Sequence, residues 1–169
     1  MHESVLRFTM QNLFDHEVRD KRVLEVGSMN VNGSVRPFVE SLKPASYEGI
    51  DIAAGPGVDR VYDVSHGLKL MAYDLVISTE MLEHAEHWET SFRAMFDGAR
   101  ETVLLTARGP GFQYHNPPDY WRFRPDDLLR VVPKGWRVAQ CIQDPQVPGV
   151  FLKAVRIGAS VGVEKAKIL

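Results

Sequence analysis

Residues 22–37 read RVLEVGSMNVNGSVRP, and this stretch decides the fold. Val23-Leu24-Glu25-Val26 is a short apolar run of the kind that forms a buried strand. Gly27 breaks it, and a polar loop leads to Gly33. Ser34 is an N-cap candidate, and Pro37 fits only in the first turn of a helix. A buried strand that feeds a glycine loop and then a helix builds sites. Glycine lets the backbone turn tightly and approach a ligand, and the helix start offers free N–H groups. Glu25 lies inside the strand, where an acid needs a partner because an unpaired buried charge is costly.

Working outward, the apolar spacing predicts an amphipathic helix over residues 3–15 before this strand and a helix over 34–43 after it, stopped by Lys43-Pro44. Further strands are expected at 47–52, 59–64, 73–78, 102–106, 136–142 and 150–157, with helices at 88–98 and 125–132. Only the turn Ala53-Ala54-Gly55-Pro56-Gly57 separates the second and third strands, too little for an ordinary parallel crossover, so that connection is reduced or uses the loop itself. The centre of 73–78 is continuously apolar, which suits a sheet covered on both faces. Residues 107–124 form a long, aromatic-rich connection that is expected to be ordered. The pattern predicts an α/β, doubly wound, mostly parallel seven-stranded sheet with an antiparallel last strand. One domain is expected over 1–157 and a mobile tail over 158–169.

A chain of 169 residues supports one compact core. A net charge of −2 gives no electrostatic case for nucleic acid. The single cysteine, Cys141, excludes an internal disulfide and reads as a small buried hydrophobe rather than a nucleophile. No apolar run reaches membrane-spanning length and no signal-peptide core is visible, so a cytoplasmic location is expected.

In doubly wound sheets the ligand sits at the carboxyl ends of the strands. Glu25 with Gly27, Asp51, Asp63 and Ser78-Thr79-Glu80 all fall at such ends. Asp51 lies 24 residues after Gly27, in the place where an acid accepts two ribose hydroxyls. Asp63 is placed to accept from an adenine amine, so the rim reads as an adenosine site. A dinucleotide would want G-x-G-x-x-G. Here Ser28, Met29, Asn30, Val31 and Asn32 separate Gly27 from Gly33, and no phosphate loop is present. A ligand without phosphates fits better.

Glu25-Val26-Gly27, Asp51, Asp63-Val64, Asp74 to Ser78, Glu80-Met81-Leu82-Glu83-His84 and the late strand pair resemble the class I S-adenosylmethionine-dependent methyltransferases, over residues 21–157. Tyr73 to His84 and Asp119-Tyr120-Trp121-Arg122-Phe123 are similar to segments of small-molecule and glycan methyltransferases. The resemblance implies that Glu25, Gly27 and Ser28 line the methionine part of the cofactor. It also implies that Asp51, with Ile52 beside it, holds the ribose, that Asp63 and Val64 flank the adenine, and that Glu80 lies near the transferred methyl. Met29 and Val31 stand where the family has further glycines, so Asn30 or Asn32 is expected to supply contacts that backbone normally gives.

Methyl transfer needs alignment, exclusion of water and, for a hydroxyl acceptor, a base. His84 and His115 are the candidate bases. Tyr114, Asn116, Asp119, Tyr120 and Arg122 are candidates for the acceptor pocket, which suits a small molecule or a saccharide. The plainer readings stand beside these. Glu25 is satisfied internally, Asp51 and Asp63 cap turns, Glu83 faces solvent or caps a helix, Trp121 and Phe123 pack a lid, and His2, His16, His66 and His87 have no role. No His/Cys/Asp cluster has metal-ligand spacing. The chain is expected to be a monomer or homodimer with no membrane or nucleic-acid partner. The competing function is a non-catalytic domain of the same fold that binds the cofactor or a partner. A nicotinamide-binding domain is disfavoured by the loop spacing.

Overall fold

The computed structural model of the chain describes residues 2–113 and 118–159. Seven strands form one sheet: β1 (Arg22–Val26), β2 (Ser46–Asp51), β3 (Arg60–Val61), β4 (Tyr73–Thr79), β5 (Ala99–Arg108), β6 (Trp136–Gln143) and β7 (Gly149–Arg156), in the spatial order β3-β2-β1-β4-β5-β7-β6. β1 to β5 are parallel, and β7 runs antiparallel between β5 and β6. The expected architecture is the one observed.

β1 sits inside the sheet, between β2 and β4, because it can be buried on both faces. Leu24 and Val26 join a cluster with Val76, Val103 and Leu105, covered by α4 (Trp88–Gly98) through Phe92, Met95 and Phe96. Val23 joins the opposite cluster with Leu75, Ile77 and Leu104, covered by α1 (Glu3–Asn12) through Val5 and Phe8. Alternate residues along each strand therefore feed two separate cores. The register Leu24↔Val76 and Glu25↔Ile77 brings the carboxyl ends of β1 and β4 level. The strand order reverses between these two strands.

Some element boundaries differ from expectation, with local causes. The first helix breaks after Asn12, because Thr9 Oγ1 and Asn12 Nδ2 bond back to the carbonyls of Val5 and Phe8, and Leu13 turns extended into the core. The Lys153 ammonium donates to the Asn12 carbonyl at 2.6 Å and to Glu17 Oε2 at 2.7 Å, which fixes the short helix α2 (Asp15–Val18) that follows. α3 spans Arg36–Ser41 rather than 34–43, and its N-cap is Val35; Ser34, the expected cap, lies one position earlier and accepts the Arg36 N–H at 3.0 Å through Oγ. β3 has two residues rather than six. The connection before it folds back on β2, with Gly49 N–H donating to Asp59 Oδ2 at 2.7 Å, and Asp63 then caps a 3₁₀ turn, Val64–His66, that ends the strand. β5 is longer than expected, because antiparallel pairing with β7 carries it to Arg108↔Gly149. α5 (Pro125–Leu129) stops early, as Pro133 disfavours helix at the residue before it.

Cys141 lies in β6, and burial pushes its thiol up to about 11, so it is no nucleophile at neutral pH. Among the described residues no helix is long and apolar enough to cross a membrane. The expected mobile tail lies, from residue 160 on, outside the described residues.

Candidate functional site

A cavity of about 1140 Å³ opens at the carboxyl ends of the strands, across the β1–β4 reversal. It exceeds the roughly 300–1,000 Å³ of an ordinary small-molecule pocket. Its wall includes Glu25, Gly27, Ser28, Asp51, Ile52, Asp63, Val64, Glu80, His84, Asp119 and Tyr120. The chain thus gathers most of the sequence-selected residues at one place. Asn30 and Arg122 are not in the wall. Asn30 instead braces the loop: its N–H donates to Pro56 O at 2.7 Å and its Oδ1 accepts the Gly33 N–H at 2.9 Å. Asn32, the other residue expected to replace the missing loop glycines, does stand in the wall. Tyr114, His115 and Asn116 lie outside the described residues.

On the β1–β3 side the site begins at the Gly27 turn. Gly27 has φ +76°, and the amides of Gly27 and Ser28 both donate to Ile50 O, at 2.9 and 3.1 Å. A Cβ at Gly27 would stand 2.5 Å from Met81 Cβ and Cγ. Ser28 follows, buried, with its Oγ lacking a hydrogen-bond partner. Glu25 is 2 % exposed, and the Tyr47 hydroxyl donates to its Oε2 at 2.6 Å. Burial pushes the Glu25 carboxyl up to about 7, against the pull of that hydrogen bond.

Asp51 accepts the Met29 N–H at 3.2 Å and the Ala53 N–H at 3.3 Å. Asp63 Oδ1 accepts the Ser65 N–H at 2.8 Å, and bonding to Ser65 holds its carboxyl below the usual range. Both aspartates therefore cap turns and also line the cavity. Ile52, 74 % exposed, offers an apolar surface beside Val64 and Tyr62. Among the described residues, no lysine or arginine belongs to this half of the wall.

The β4–β5 side is built on Glu80, held at φ +54°, a strained conformation for a non-glycine residue. Its amide donates to Thr106 O at 2.9 Å, and its carboxylate pairs with Arg108. Arg108 is 4 % exposed, stacks on Phe112 with 4.4 Å to the ring centroid, and has Asp144 Oδ2 at 3.9 Å. Burial lowers its guanidinium to about 10. Asp144 also accepts from Ser4 Oγ at 2.8 Å, tying the start of α1 to this corner.

One expectation needs correction here. Glu83 neither faces solvent nor caps a helix: it is 0 % exposed and lies in a 3₁₀ turn (Leu82–His84), with the backbone N–H groups of Glu83 itself and of Arg108 directed at its carboxylate. Burial pushes its carboxyl up to about 7. In the sequence it looks like one more polar residue after a strand, and nothing local marks it as buried. His2, His66 and His87 all stand in the cavity wall. Asp119 is paired with Arg122, whose Nη2 also donates to Phe112 O at 3.1 Å, so Arg122 braces the loop behind the pocket.

His84 Nδ1 lies 3.2 Å from Pro118 O, which assigns the ring hydrogen to Nδ1 and leaves the Nε2 lone pair available. Phe123 is buried against Trp88, at 5.0 Å between centroids, and Trp121 donates through Nε1 to Glu86 O at 3.2 Å. Phe123 thus packs inside, while Trp121 stays 42 % exposed at the surface. Tyr120, 58 % exposed, remains on the rim.

No family model matches the sequence, and neither does any curated protein. Solved structures do match. The chain is similar to magnesium protoporphyrin IX methyltransferase from Synechocystis PCC 6803 with bound S-adenosylmethionine, at 18 % identity, with a TM-score of 0.65 over 91 % of this chain and 77 % of that one. It is similar to an S-adenosylmethionine-dependent methyltransferase from Mesorhizobium loti, at 15 % identity, with a TM-score of 0.62 over 89 % and 95 %. A third, from Aquifex aeolicus, gives 11 % identity and a TM-score of 0.61 over 93 % of this chain and 100 % of that one. With the strand order β3-β2-β1-β4-β5-β7-β6 and an antiparallel β7, the chain has the fold of the class I S-adenosylmethionine-dependent methyltransferases.

Proposed function

We propose that the chain is a methyltransferase that binds S-adenosylmethionine and methylates a small-molecule or saccharide acceptor. One observation carries the reading: the β1–β3 half of the cavity combines three carboxylates, Glu25, Asp51 and Asp63, with no lysine or arginine among the described lining residues. That donor set repels a pyrophosphate. It suits a ligand with a cationic amino-acid end and ribose hydroxyls. The orphaned Ser28 Oγ, buried in the wall beside the Gly27 turn, fits a ligand packed directly on this turn.

In this reading Glu25, Gly27 and Ser28 hold the methionine end, Asp51 the ribose, and Ile52, Asp63 and Val64 the adenine. When bound, the cofactor supplies a sulfonium methyl as electrophile. Glu80 positions the acceptor side, its own place set by Arg108 and Thr106. His84 Nε2 takes the proton from an acceptor hydroxyl as the new methyl bond forms and the S–C bond breaks, leaving a neutral thioether. Tyr120 and Asp119 shape the acceptor pocket.

Calorimetric titration with S-adenosylmethionine and with its demethylated product tests the reading. Both are expected to bind, and Asp51→Ala is expected to weaken them at least about tenfold, roughly 1.4 kcal/mol. No binding of either at millimolar concentration overturns it.

A pH dependence follows from Glu25. Its carboxyl is raised to about 7 in the free protein. A cationic ligand favours the ionised form, so binding releases a proton below that pH. Affinity for the cofactor is expected to rise between pH 5.5 and 7.5 by about tenfold and then level off, and Glu25→Gln is expected to bind more weakly and with no such slope. A flat wild-type profile would show that Glu25 does not face the ligand's charge.

A further inference from the structure

We propose that Asp144 is a positioning residue for methyl transfer. By sharing Arg108 with Glu80 it leaves Glu80 a net negative charge to turn toward the cofactor's sulfonium, so that the site tells the charged cofactor from its neutral demethylated product. The inference rests on the methyltransferase reading of the cavity and adds to it a residue that lies outside the wall.

Glu80, Arg108 and Asp144 form a chain of charges. Arg108 pairs with the Glu80 carboxylate, and its Nη1 lies 3.9 Å from Asp144 Oδ2. Arg108 and Asp144 are buried, whereas the Glu80 side chain keeps 17 % of its surface and stands in the cavity wall. The turn after β6 is built to hold Asp144 in this place. Its Oδ1 accepts the Gln146 N–H at 2.9 Å, its own N–H donates to Gly149 O at 2.9 Å, and Ser4 Oγ donates to its Oδ2 at 2.8 Å. The Phe112 ring covers the guanidinium. Water is thereby kept from the chain, and its charges are weakly screened.

The charge count gives Asp144 its role. Among the described residues, Arg108 is the only lysine or arginine in the wall. Burial lowers it to about 10, against the pull of Asp144, so it is still a cation at neutral pH. A cation in the wall repels a sulfonium. Glu80 alone would cancel it and leave nothing over. With Asp144, two carboxylates share one guanidinium, and a negative charge remains. It remains in the right place. Val26 pairs with Ser78, two residues before Glu80, and Met81, next after Glu80, lies against Gly27. Gly27 holds the methionine end in the methyltransferase reading, so the sulfur lies between this turn and Glu80. After transfer the sulfur is a neutral thioether and no longer feels the attraction.

The test is calorimetry on the full chain with S-adenosylmethionine and with S-adenosylhomocysteine, at about pH 8, where Glu25 is ionised. Asp144→Asn removes the charge but keeps the shape and the acceptor for the Gln146 N–H. It is expected to weaken S-adenosylmethionine at least about fivefold relative to S-adenosylhomocysteine. Asp144→Ser takes its place if the amide variant does not fold. Ser4→Ala is the control, since it loses a bond to Asp144 but no charge. It is expected to keep the wild-type ratio of the two affinities, whatever it does to the melting temperature. An unchanged or raised ratio in the Asp144 variant overturns the proposal. So does a ratio that falls as far in Ser4→Ala, because the effect would then belong to the shape of the corner. Either result with wild-type binding intact sinks the role of Asp144 alone, whereas no binding of either ligand to the wild type sinks the methyltransferase reading.

Discussion

Gly27→Ala is expected to weaken S-adenosylmethionine binding by at least about a hundredfold, close to 3 kcal/mol, in the calorimetric titration. Two separate effects drive the loss. At φ +76° an alanine pays the left-handed penalty, about 1–2 kcal/mol. Its Cβ would also sit 2.5 Å from Met81 Cβ and Cγ. Met81 Cβ is next to the main chain and cannot swing aside as the end of a long side chain can. Relief means moving the backbone after β4, where Glu80 is already held at φ +54°. The turn that carries Ser28 and the segment that carries Glu80 and Glu83 would shift together, so both halves of the cavity lose their shape. A lower melting temperature should accompany the loss. Wild-type affinity in this variant would mean that the Gly27 turn does not approach the ligand.

The same contact explains what the sequence reveals and what it hides. The strand-glycine-helix unit is local: the run 23–26, the break at Gly27 and the acids 24 and 36 residues further on at Asp51 and Asp63 can be read as a pattern. Sheet topology was legible because parallel strands buried on both faces leave continuous apolar runs, as in Leu75-Val76-Ile77. The late pair β6–β7 followed from a connection too short for a helix. The partners of the buried charges were not legible. Tyr47 completes Glu25 from the neighbouring strand, 22 residues away, and Arg108 meets Glu80 across the β4–β5 boundary. Those pairings depend on register and on which face each side chain takes. The Met29 and Val31 positions leave Asn30 or Asn32 to replace backbone contacts. Asn30 bonds within the loop, to Pro56 and Gly33, and it is Asn32 that lines the cavity. The burial of Glu83 is hidden in the sequence for a related reason. Its burial is made by residues 118–123 folding back over the turn after β4, a long-range event with no local signature.

That burial has a thermodynamic consequence with a definite sign. Glu83 is raised from an ordinary value of 4.5 to about 7 in the folded chain, and desolvation is the cause. Between these two pH values the folded state holds a proton that the unfolded state has released. Stability therefore falls as pH rises from about 4.5 to 7, then levels off. At 1.36 kcal/mol per pH unit the loss is roughly 3 kcal/mol. Asp63 and Asp74 work the other way. Their carboxyls are held below the usual range, so their contribution fades only as pH drops below about 4, on the acid limb. Glu83→Gln mimics the protonated acid at every pH. In denaturant unfolding it is expected to match the wild type near pH 4.5 and to exceed it by roughly 3 kcal/mol at pH 8, a gain of about 6–12 °C in melting temperature for a chain of this size. Glu25→Gln is expected to gain less, because it also gives up the charged bond from the Tyr47 hydroxyl. An equal difference between Glu83→Gln and wild type at both pH values would show that the Glu83 carboxylate is solvated in solution.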